Sequence, residues 1–297
     1  MFVSVVIPTY RRTKALGPLI LELGAQIDAL DGAAVEIVVV DNCPDRSAEP
    51  IVAAGCREAC YVNEPRPGVV HARNAGIRHS TGRYIIFIDD DQQPVAGWLE
   101  SYCRLARLGH AACFGPVKPS FEEPPQAHLR PILEDLFSRN MAVSTGTDIT
   151  DRRAYLGTGN SMFERARCFP AQTPFDVRFN RGGEDVWFLR ELVQVHHLSL
   201  TWCAEASVFE LVPAVRMNSA YVRQRRYRNG QLRCLVEFRG GNWAATGFWM
   251  SVGAIQTTFF GLAGLATVLV DRPRAAAFGA RAAGGLGKIF WWLTGRG

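Results

Sequence analysis

Three consecutive carboxylates, Asp89-Asp90-Asp91, follow an unbroken apolar run, Tyr84-Ile85-Ile86-Phe87-Ile88. A β-branched run of this kind reads as a strand buried on both faces of a parallel sheet. In open α/β sheets, ligands bind just beyond the carboxyl ends of the strands. Carboxylates packed so closely repel one another unless a cation sits among them. A hard divalent ion, Mg²⁺ or Mn²⁺, arriving with a phosphate-bearing ligand suits such an all-oxygen donor set; the plain alternative is an acidic surface turn. Two further apolar runs end in polar residues. Val38-Val39-Val40 leads into Asp41-Asn42, and Val5-Val6-Ile7 leads through Pro8 into Thr9 and Tyr10. Taken alone, Asp41 is a turn former; beside a second acidic strand end it suits a hydrogen bond to a base or ribose.

Two other segments carry chemistry. Pro67-Gly68-Val69-Val70-His71-Ala72-Arg73-Asn74-Ala75-Gly76 reads as a loop entering a helix, with Arg73 near the helix start. A guanidinium there suits a base edge or a diphosphate, although a solvated helix arginine is as good a reading of this segment alone. His71 reads as a packing or capping residue. Arg181-Gly182-Gly183-Glu184-Asp185 puts two acids at a helix N-terminus. Acids there are ordinarily dipole partners, but an acid set apart from a metal site is also what deprotonation of an incoming hydroxyl needs.

The elements that must position these groups alternate. Strands are expected at 3–7, 36–40, 84–88 and 112–115, and helices at 16–30, 71–80 and 98–108, so the sheet should be mainly parallel and covered on both faces. Prolines at 116, 119, 124, 125 and 131 mark 116–131 as an irregular connection. A helix at 132–141, a Gly-rich strand at 156–163 and a basic amphipathic helix at 217–238 follow. No charged residue occurs from Gly240 to Val270, and Phe290-Trp291-Trp292 lies close to the end. That composition suits a hairpin in or on a membrane leaflet, with the preceding arginines against anionic headgroups; soluble core helices are the alternative.

The 297 residues, 48% hydrophobic and 21% charged, describe a globular chain and exclude wholesale disorder. The formal charge of +5 is concentrated between Arg216 and Arg239. Aromatic residues there are too few for base stacking, and no nucleic-acid partner is expected. Eight cysteines show no metal-ligand spacing, and Cys56 and Cys60, placed on a helix, read as ordinary thiols. With no basic and apolar leader ahead of the first strand, they point to the cytoplasm.

Together, Ser4-Val5-Val6-Ile7-Pro8-Thr9-Tyr10, Val39-Val40-Asp41-Asn42, Ala72-Arg73-Asn74-Ala75-Gly76, Phe87-Ile88-Asp89-Asp90-Asp91 and Gly182-Gly183-Glu184-Asp185 resemble glycosyltransferase family 2, in family order and spacing over roughly residues 3 to 240. Gly115-Pro116-Val117 and Val208-Phe209-Glu210-Leu211-Val212-Pro213 resemble the glucosyltransferases of succinoglycan-type exopolysaccharide assembly. The resemblance implies an α/β, Rossmann-like GT-A fold and inverting transfer from a nucleoside-diphosphate sugar, by family habit a UDP-sugar such as UDP-glucose. It implies that Pro8, Thr9, Tyr10, Asp41, Arg73, Asp89 and Asp90 hold the nucleotide sugar. Asp89 and Asp91 match the outer positions of the DXD motif and would hold Mn²⁺ or Mg²⁺. Asp185 matches the catalytic base, with Glu184 beside it. Glu210 stands where many relatives carry a histidine, which leaves a third protein ligand to the metal open.

The implied organisation is a catalytic domain over 1–215, with a nucleotide-binding half over about 1–115 and an acceptor-binding half over about 116–215, then the basic helix at 216–239 and a membrane-associating region at 240–297. The implied acceptor is a saccharide on a polyprenyl diphosphate at the cytoplasmic face of the inner membrane. Two rivals stand beside this reading. A nucleotidyltransferase would release pyrophosphate, but the Thr9-Tyr10-Arg11-Arg12 turn lacks the glycines of a phosphate loop. A non-catalytic membrane scaffold would retain the nucleotide-sugar pocket alone.

Overall fold

The computed structural model describes residues 1–171 and 173–294. The chain divides into two compact units. The first comprises Met1–Lys118, Arg139–Asn180 and Glu184–Leu211; the second comprises Pro119–Ser138, Arg181–Gly183 and the chain from Val212 onward.

The first unit begins with the expected alternation: β1 (Phe2–Thr9), α1 (Thr13–Asp28), β2 (Ala34–Asp41), α2 (Glu49–Ala53), β3 (Ala59–Asn63), α3 (Val69–His79) and β4 (Tyr84–Phe87). Next come β5 (Gln92–Pro94), α4 (Trp98–Arg107), β6 (Ala112–Phe114) and β7 (Val117–Phe121), the last of which runs across the unit boundary. Then α5 (Arg130–Phe137) belongs to the second unit, and the chain returns to the first for β8 (Ser161–Glu164), α6 (Arg165–Cys168), α7 (Glu184–Gln194), β9 (Thr201–Trp202) and β10 (Val208–Val212), whose last residue lies in the second unit.

β1 pairs in parallel with both β2 and β4, and β2 with β3. β8 runs antiparallel between β4 and β6, and β9 is parallel to β6. The order is therefore β3-β2-β1-β4-β8-β6-β9, a mixed and mainly parallel sheet. Side-chain alternation along the strands divides the core in two. Val3, Val5, Ile7, Ile37, Val39 and Ile86 pack with α1 and α4 residues such as Leu16, Leu19, Trp98 and Tyr102. Val6, Val38, Val40, Ile85 and Phe87 pack on the other face with residues of α3 and α7. Strands buried on both faces carry no polar alternation, which explains why β1, β2 and β4 stood out as apolar runs. The chain builds outward from β1 to β3, then crosses to place β4 on the other side of β1. The strand order reverses between β1 and β4, where such a sheet opens a crevice for a ligand.

Three expectations need correction. Cys56 and Cys60 do not share a helix: Cys60 lies on β3 and Cys56 precedes it. β3 is an edge strand and only half-buried, so it lacks the apolar run that marks the others. The proline-rich connection begins with a strand, β7, at the edge of a small sheet ordered β5-β10-β7. An edge strand tolerates Pro119 because one side of its backbone needs no partner. The strand expected from Leu156 starts only at Ser161; the preceding residues form a turn closed by Asn160 at φ +54°.

The second unit packs α5 against α8 (Ser219–Arg239), with Leu129, Leu133, Phe137, Val212, Met217, Val222 and Ala280 in its core. α9 (Trp243–Thr267) and α10 (Arg272–Ile289) complete it. The three long helices meet through glycines. A Cβ on Gly253 would stand 2.7 Å from the Gly285 carbonyl oxygen, and one on Gly287 would overlap the Tyr227 carbonyl. Small residues of this kind let helix backbones approach closely.

Candidate active site

Every acid singled out in the sequence lies on the first unit, and most are brought together beyond the ends of β1 and β4. The position of α3 begins the arrangement. At Gly76 a Cβ would overlap Val6 of β1, so glycine lets the helix lie directly on the strand. α3 runs against the strand direction, and its first turns therefore reach the strand ends. Asn74 fixes it further. Its side-chain amide donates to the Phe175 carbonyl at 2.7 Å, and its oxygen accepts from the Phe175 N–H at 3.0 Å.

Arg73 is thereby held almost fully buried, its guanidinium 5.7 Å above the Phe175 ring. Its Nη1 donates to Glu184 Oε1 at 2.6 Å, and its Nη2 lies 3.8 Å from Asp89. The Arg73 Nε is buried and has no hydrogen-bond partner among the described residues. Burial raises the Glu184 carboxyl above its usual range, the neighbouring charge of Asp185 raises it further, and Arg73 opposes both. α7 is entered through Gly182 and Gly183 at φ +118° and +90°, values that only glycine adopts without strain. Glu184 then points into the protein, and Asp185 stays half-buried at the first turn.

A turn between Leu156 and Ser161 runs past both acid groups. A Cβ on Gly157 would approach Asp185 Oδ2 to 3.1 Å, and one on Gly159 would overlap the Asp89 carboxylate. The turn is pinned by residues that sequence reasoning missed. Arg139, itself buried, donates to the carbonyls of Gly115, Gly157 and Asn160 at 2.9, 2.8 and 2.6 Å. The Asn160 side chain donates to Pro116 and Ala206 carbonyls and accepts from Trp98 Nε1 at 2.7 Å. Only Asn160, directly after Gly157-Thr158-Gly159, carried a local signal, since asparagine is the residue after glycine most tolerant of positive φ.

The three acids after β4 have separate surroundings. Asp89 is the most open, its side chain 36% exposed. Asp90 is buried; it accepts from Thr9 Oγ1 at 2.7 Å and from Arg12 at 2.8 Å. Burial pushes its carboxyl upward, while Arg12 and Thr9 pull it down. Asp91 pairs with the same Arg12 Nη1 at 2.5 Å. Tyr10, next to Thr9 and Pro8 at the end of β1, is half exposed, with Arg11 5.5 Å from its ring centre. Glu210 sits opposite Gln92 in the β10–β5 ladder, and the next residue, Leu211, donates its N–H to the Asp91 carbonyl at 2.8 Å.

Asp41 is not gathered in with the others. It is wholly buried, and its oxygens accept from the Cys43 N–H at 3.0 Å and the Ala48 N–H at 2.7 Å of the loop that follows it and from the Tyr61 hydroxyl of β3 at 3.3 Å. It shapes the loop after β2.

Asp89 and Asp91 offer the hard oxygens that Mg²⁺ or Mn²⁺ prefers. Among the described residues no three His, Cys, Asp or Glu side chains gather into a metal cage. One or two carboxylates fit an ion that completes its shell with phosphate oxygens and water.

Comparison with known proteins identifies the family and the fold. The model of glycosyl transferase family 2 matches residues 4–169, more than half of the chain. The chain belongs to glycosyltransferase family 2. The succinoglycan biosynthesis protein ExoM of Rhizobium meliloti (strain 1021) is 28% identical to this family 2 glycosyltransferase over 238 residues, 78% of the chain and 74% of that protein. The chondroitin synthase of Escherichia coli is 31% identical over 120 residues, 39% of the chain and 17% of the synthase. Among solved structures, the mannosyltransferase PcManGT of Pyrobaculum calidifontis, in complex with GDP-Man and Mn²⁺, superposes with a TM-score of 0.58 at 17% identity, over 96% of this chain and 86% of that one. S. aureus TarS 1–349 in complex with UDP-GlcNAc gives 0.53 at 15% identity, over 96% and 90%. At these identities the likeness speaks for the fold, which is GT-A as the motifs implied. The finer resemblance to succinoglycan assembly also holds.

Proposed function

We propose that this family 2 glycosyltransferase moves a sugar from a UDP-sugar, with UDP-glucose the first candidate, to a hydroxyl of a lipid-linked saccharide, inverting the anomeric centre. The observation that carries the reading is the chain of charge Asp89–Arg73–Glu184, which ties the acid at the end of β4 to the start of α7, where Asp185 stands. A donor-side acid and a half-buried base candidate thus share one crevice edge, separated by a turn whose glycines leave room between them.

In this reading Asp185 takes the proton of the acceptor hydroxyl as its oxygen attacks the anomeric carbon from the face opposite the diphosphate. Arg73 is buried against Glu184 and Asp89, so it holds the two acid groups in register. Thr9 and Asp90 form the floor under the donor, Pro8 and Tyr10 border it, and Asp41 acts through the shape of its loop. A Mg²⁺ or Mn²⁺ ion held by Asp91 and Asp89 would neutralise charge growing on the departing diphosphate. A nucleotide-sugar donor is supported by the UDP-GlcNAc and GDP-Man complexes of the structural neighbours, and a role in polysaccharide biosynthesis by ExoM.

The acceptor is proposed to be a saccharide on a polyprenyl diphosphate at the cytoplasmic face of the membrane. The support is α9, which is long and apolar enough to cross a membrane, with only 6% of its most apolar stretch buried.

The test is release of free nucleoside diphosphate by detergent-solubilised protein with Mn²⁺ and a panel of UDP-, GDP- and dTDP-sugars, with and without host lipid extract. Release from one donor, raised by lipid, is expected. Asp185→Asn should retain nucleotide binding and lose transfer by a factor on the order of 10²–10⁴. Asp91→Ala should instead weaken the metal-dependent part of binding. Equal transfer by the wild type and Asp185→Asn would remove Asp185 from the role of base.

A further inference from the structure

The turn after β1 carries two arginines that diverge. Arg11 adopts φ +57°, a left-handed conformation that a side chain of its size rarely takes. Its guanidinium goes to the loop after β2, with Nη2 2.7 Å from Asp45 and Nε 3.4 Å from Cys43 Sγ. Arg12 goes the other way, to the loop after β4, and one nitrogen, Nη1, meets Asp90 at 2.8 Å and Asp91 at 2.5 Å. The reversed strand order puts β1 between β2 and β4, so one strained residue sends a cation into each neighbouring loop.

The two partners of Arg12 are not equivalent. Asp90 is buried and also held by Thr9, so it cannot turn away without losing both contacts. Asp91 carries more exposure, 13% against 5% for the Asp90 side chain, and is the acid expected to face a divalent cation. A guanidinium already occupies that carboxylate. Two cations cannot share it at contact distance without repulsion, so the arginine and the metal compete.

We infer that Arg12 is a built-in counter-ion of the acidic cluster. It neutralises Asp91 while the crevice is empty and yields it to the incoming cation, remaining anchored on Asp90 as a pivot. Asp90, the middle acid, then serves as the arginine's anchor and makes no bond to the metal. The inference rests on the metal-dependent reading above and adds a reason why the cation should bind well only together with the diphosphate: alone, it must displace Arg12 without recompense, whereas the diphosphate gives the released guanidinium an anionic neighbour.

The test measures Mn²⁺ binding, with no turnover, by loss of the free-ion electron paramagnetic resonance signal, in wild type, Arg12→Met and Arg11→Met, each checked for folding by circular dichroism. Arg11→Met removes the same unit of charge from the same turn without touching Asp91. Without nucleotide, Mn²⁺ should bind Arg12→Met about fivefold or more tighter than wild type, and Arg11→Met within about twofold of it. Addition of UDP should tighten binding more in the wild type than in Arg12→Met. Unchanged or weaker Mn²⁺ binding by Arg12→Met, with UDP-dependent binding intact in all three proteins, would overturn the competition and leave the metal site standing. Equal tightening in both variants would reduce the effect to net charge and overturn it as well. Failure of all three to take up Mn²⁺ even with UDP would remove the metal reading and this inference together.

Discussion

Arg73 and Glu184 form an ion pair with both side chains 8% exposed, and its energetics follow from that burial. Breaking a buried pair from one side leaves an uncompensated charge and costs about 3–5 kcal/mol. The pH dependence has a definite sign. Burial and Asp185 already raise the Glu184 carboxyl, and Arg73 is the group that holds it down. Arg73→Met should raise it further. A carboxyl raised in the folded state binds more protons folded than unfolded, so its stability contribution is present below the unfolded value of about 4.3 and is lost as pH rises through the folded one. The thermal midpoint of Arg73→Met should therefore lie nearest to wild type in acid and fall away toward neutral pH; a gap that narrowed with rising pH would reverse the assignment. Asp41 and Asp89 to Asp91 were legible because they follow apolar runs, and Glu184 and Asp185 because a glycine pair sets them at a helix start. The partners Arg12 and Arg139 were not, because each is defined by residues far along the chain: Arg12 by Asp90 and Asp91, Arg139 by Gly115 and Gly157.

α3 shows how an element sets the site. Its register on β1 is fixed by Gly76 against Val6 and by Asn74 against Phe175. Gly76→Ala would ordinarily gain up to about 1 kcal/mol of helix propensity. Here the new Cβ meets a β-branched side chain that cannot swing aside. Overpacking should win, with a net loss of about 1–3 kcal/mol in urea unfolding. Combination with Val6→Ala should recover part of it, because the two residues touch and their effects will not add. Purely additive losses would show that the close approach does not limit the packing. β1, β2, β4 and α3 were legible from apolar period and punctuation. β3, β7 and β9 were not: they are short edge strands, and what makes them strands is the ladder beside them.

At the scale of the whole molecule, the C-terminal helices invert the usual logic of a soluble bundle. α8, α9 and α10 meet through Gly230, Gly253, Gly285 and Gly287, while Phe248, Ile255, Phe259, Leu262 and Leu265 of α9 stay exposed. Water would drive such side chains inward; a lipid phase would not. Part of the arginine cluster is already engaged within the unit: Arg226 pairs with Asp135, Arg228 donates to the Arg181 carbonyl, and Arg233 stacks on Trp249. Apolar insertion should therefore dominate membrane binding, and headgroup charge should add to it. The protein is expected to sediment with phosphatidylglycerol-containing vesicles and to resist release by salt. Phe259→Glu with Leu262→Glu should release it, since each apolar side chain withdrawn from lipid forfeits about 1.5–3 kcal/mol. Wild type that stayed soluble without detergent and ignored vesicles would end the membrane reading.

The same helices bear on orientation. α9, at about 1.5 Å per residue, is long enough to cross a hydrocarbon core of about 30 Å. Its partner α10 is a poor companion for a crossing. Arg281 lies over Phe260 at 5.2 Å, and Lys288 donates to Gln256 at 2.6 Å, so a spanning hairpin would carry both cations toward the hydrocarbon. A hairpin lying in the interface keeps them near headgroups and sinks the Phe248–Leu265 face instead. Val270, almost fully exposed at the tip of the hairpin, separates the two geometries. A Val270→Cys protein in intact spheroplasts should be shielded from a membrane-impermeant maleimide added outside and become reactive after lysis. Labelling before lysis would mean that α9 crosses.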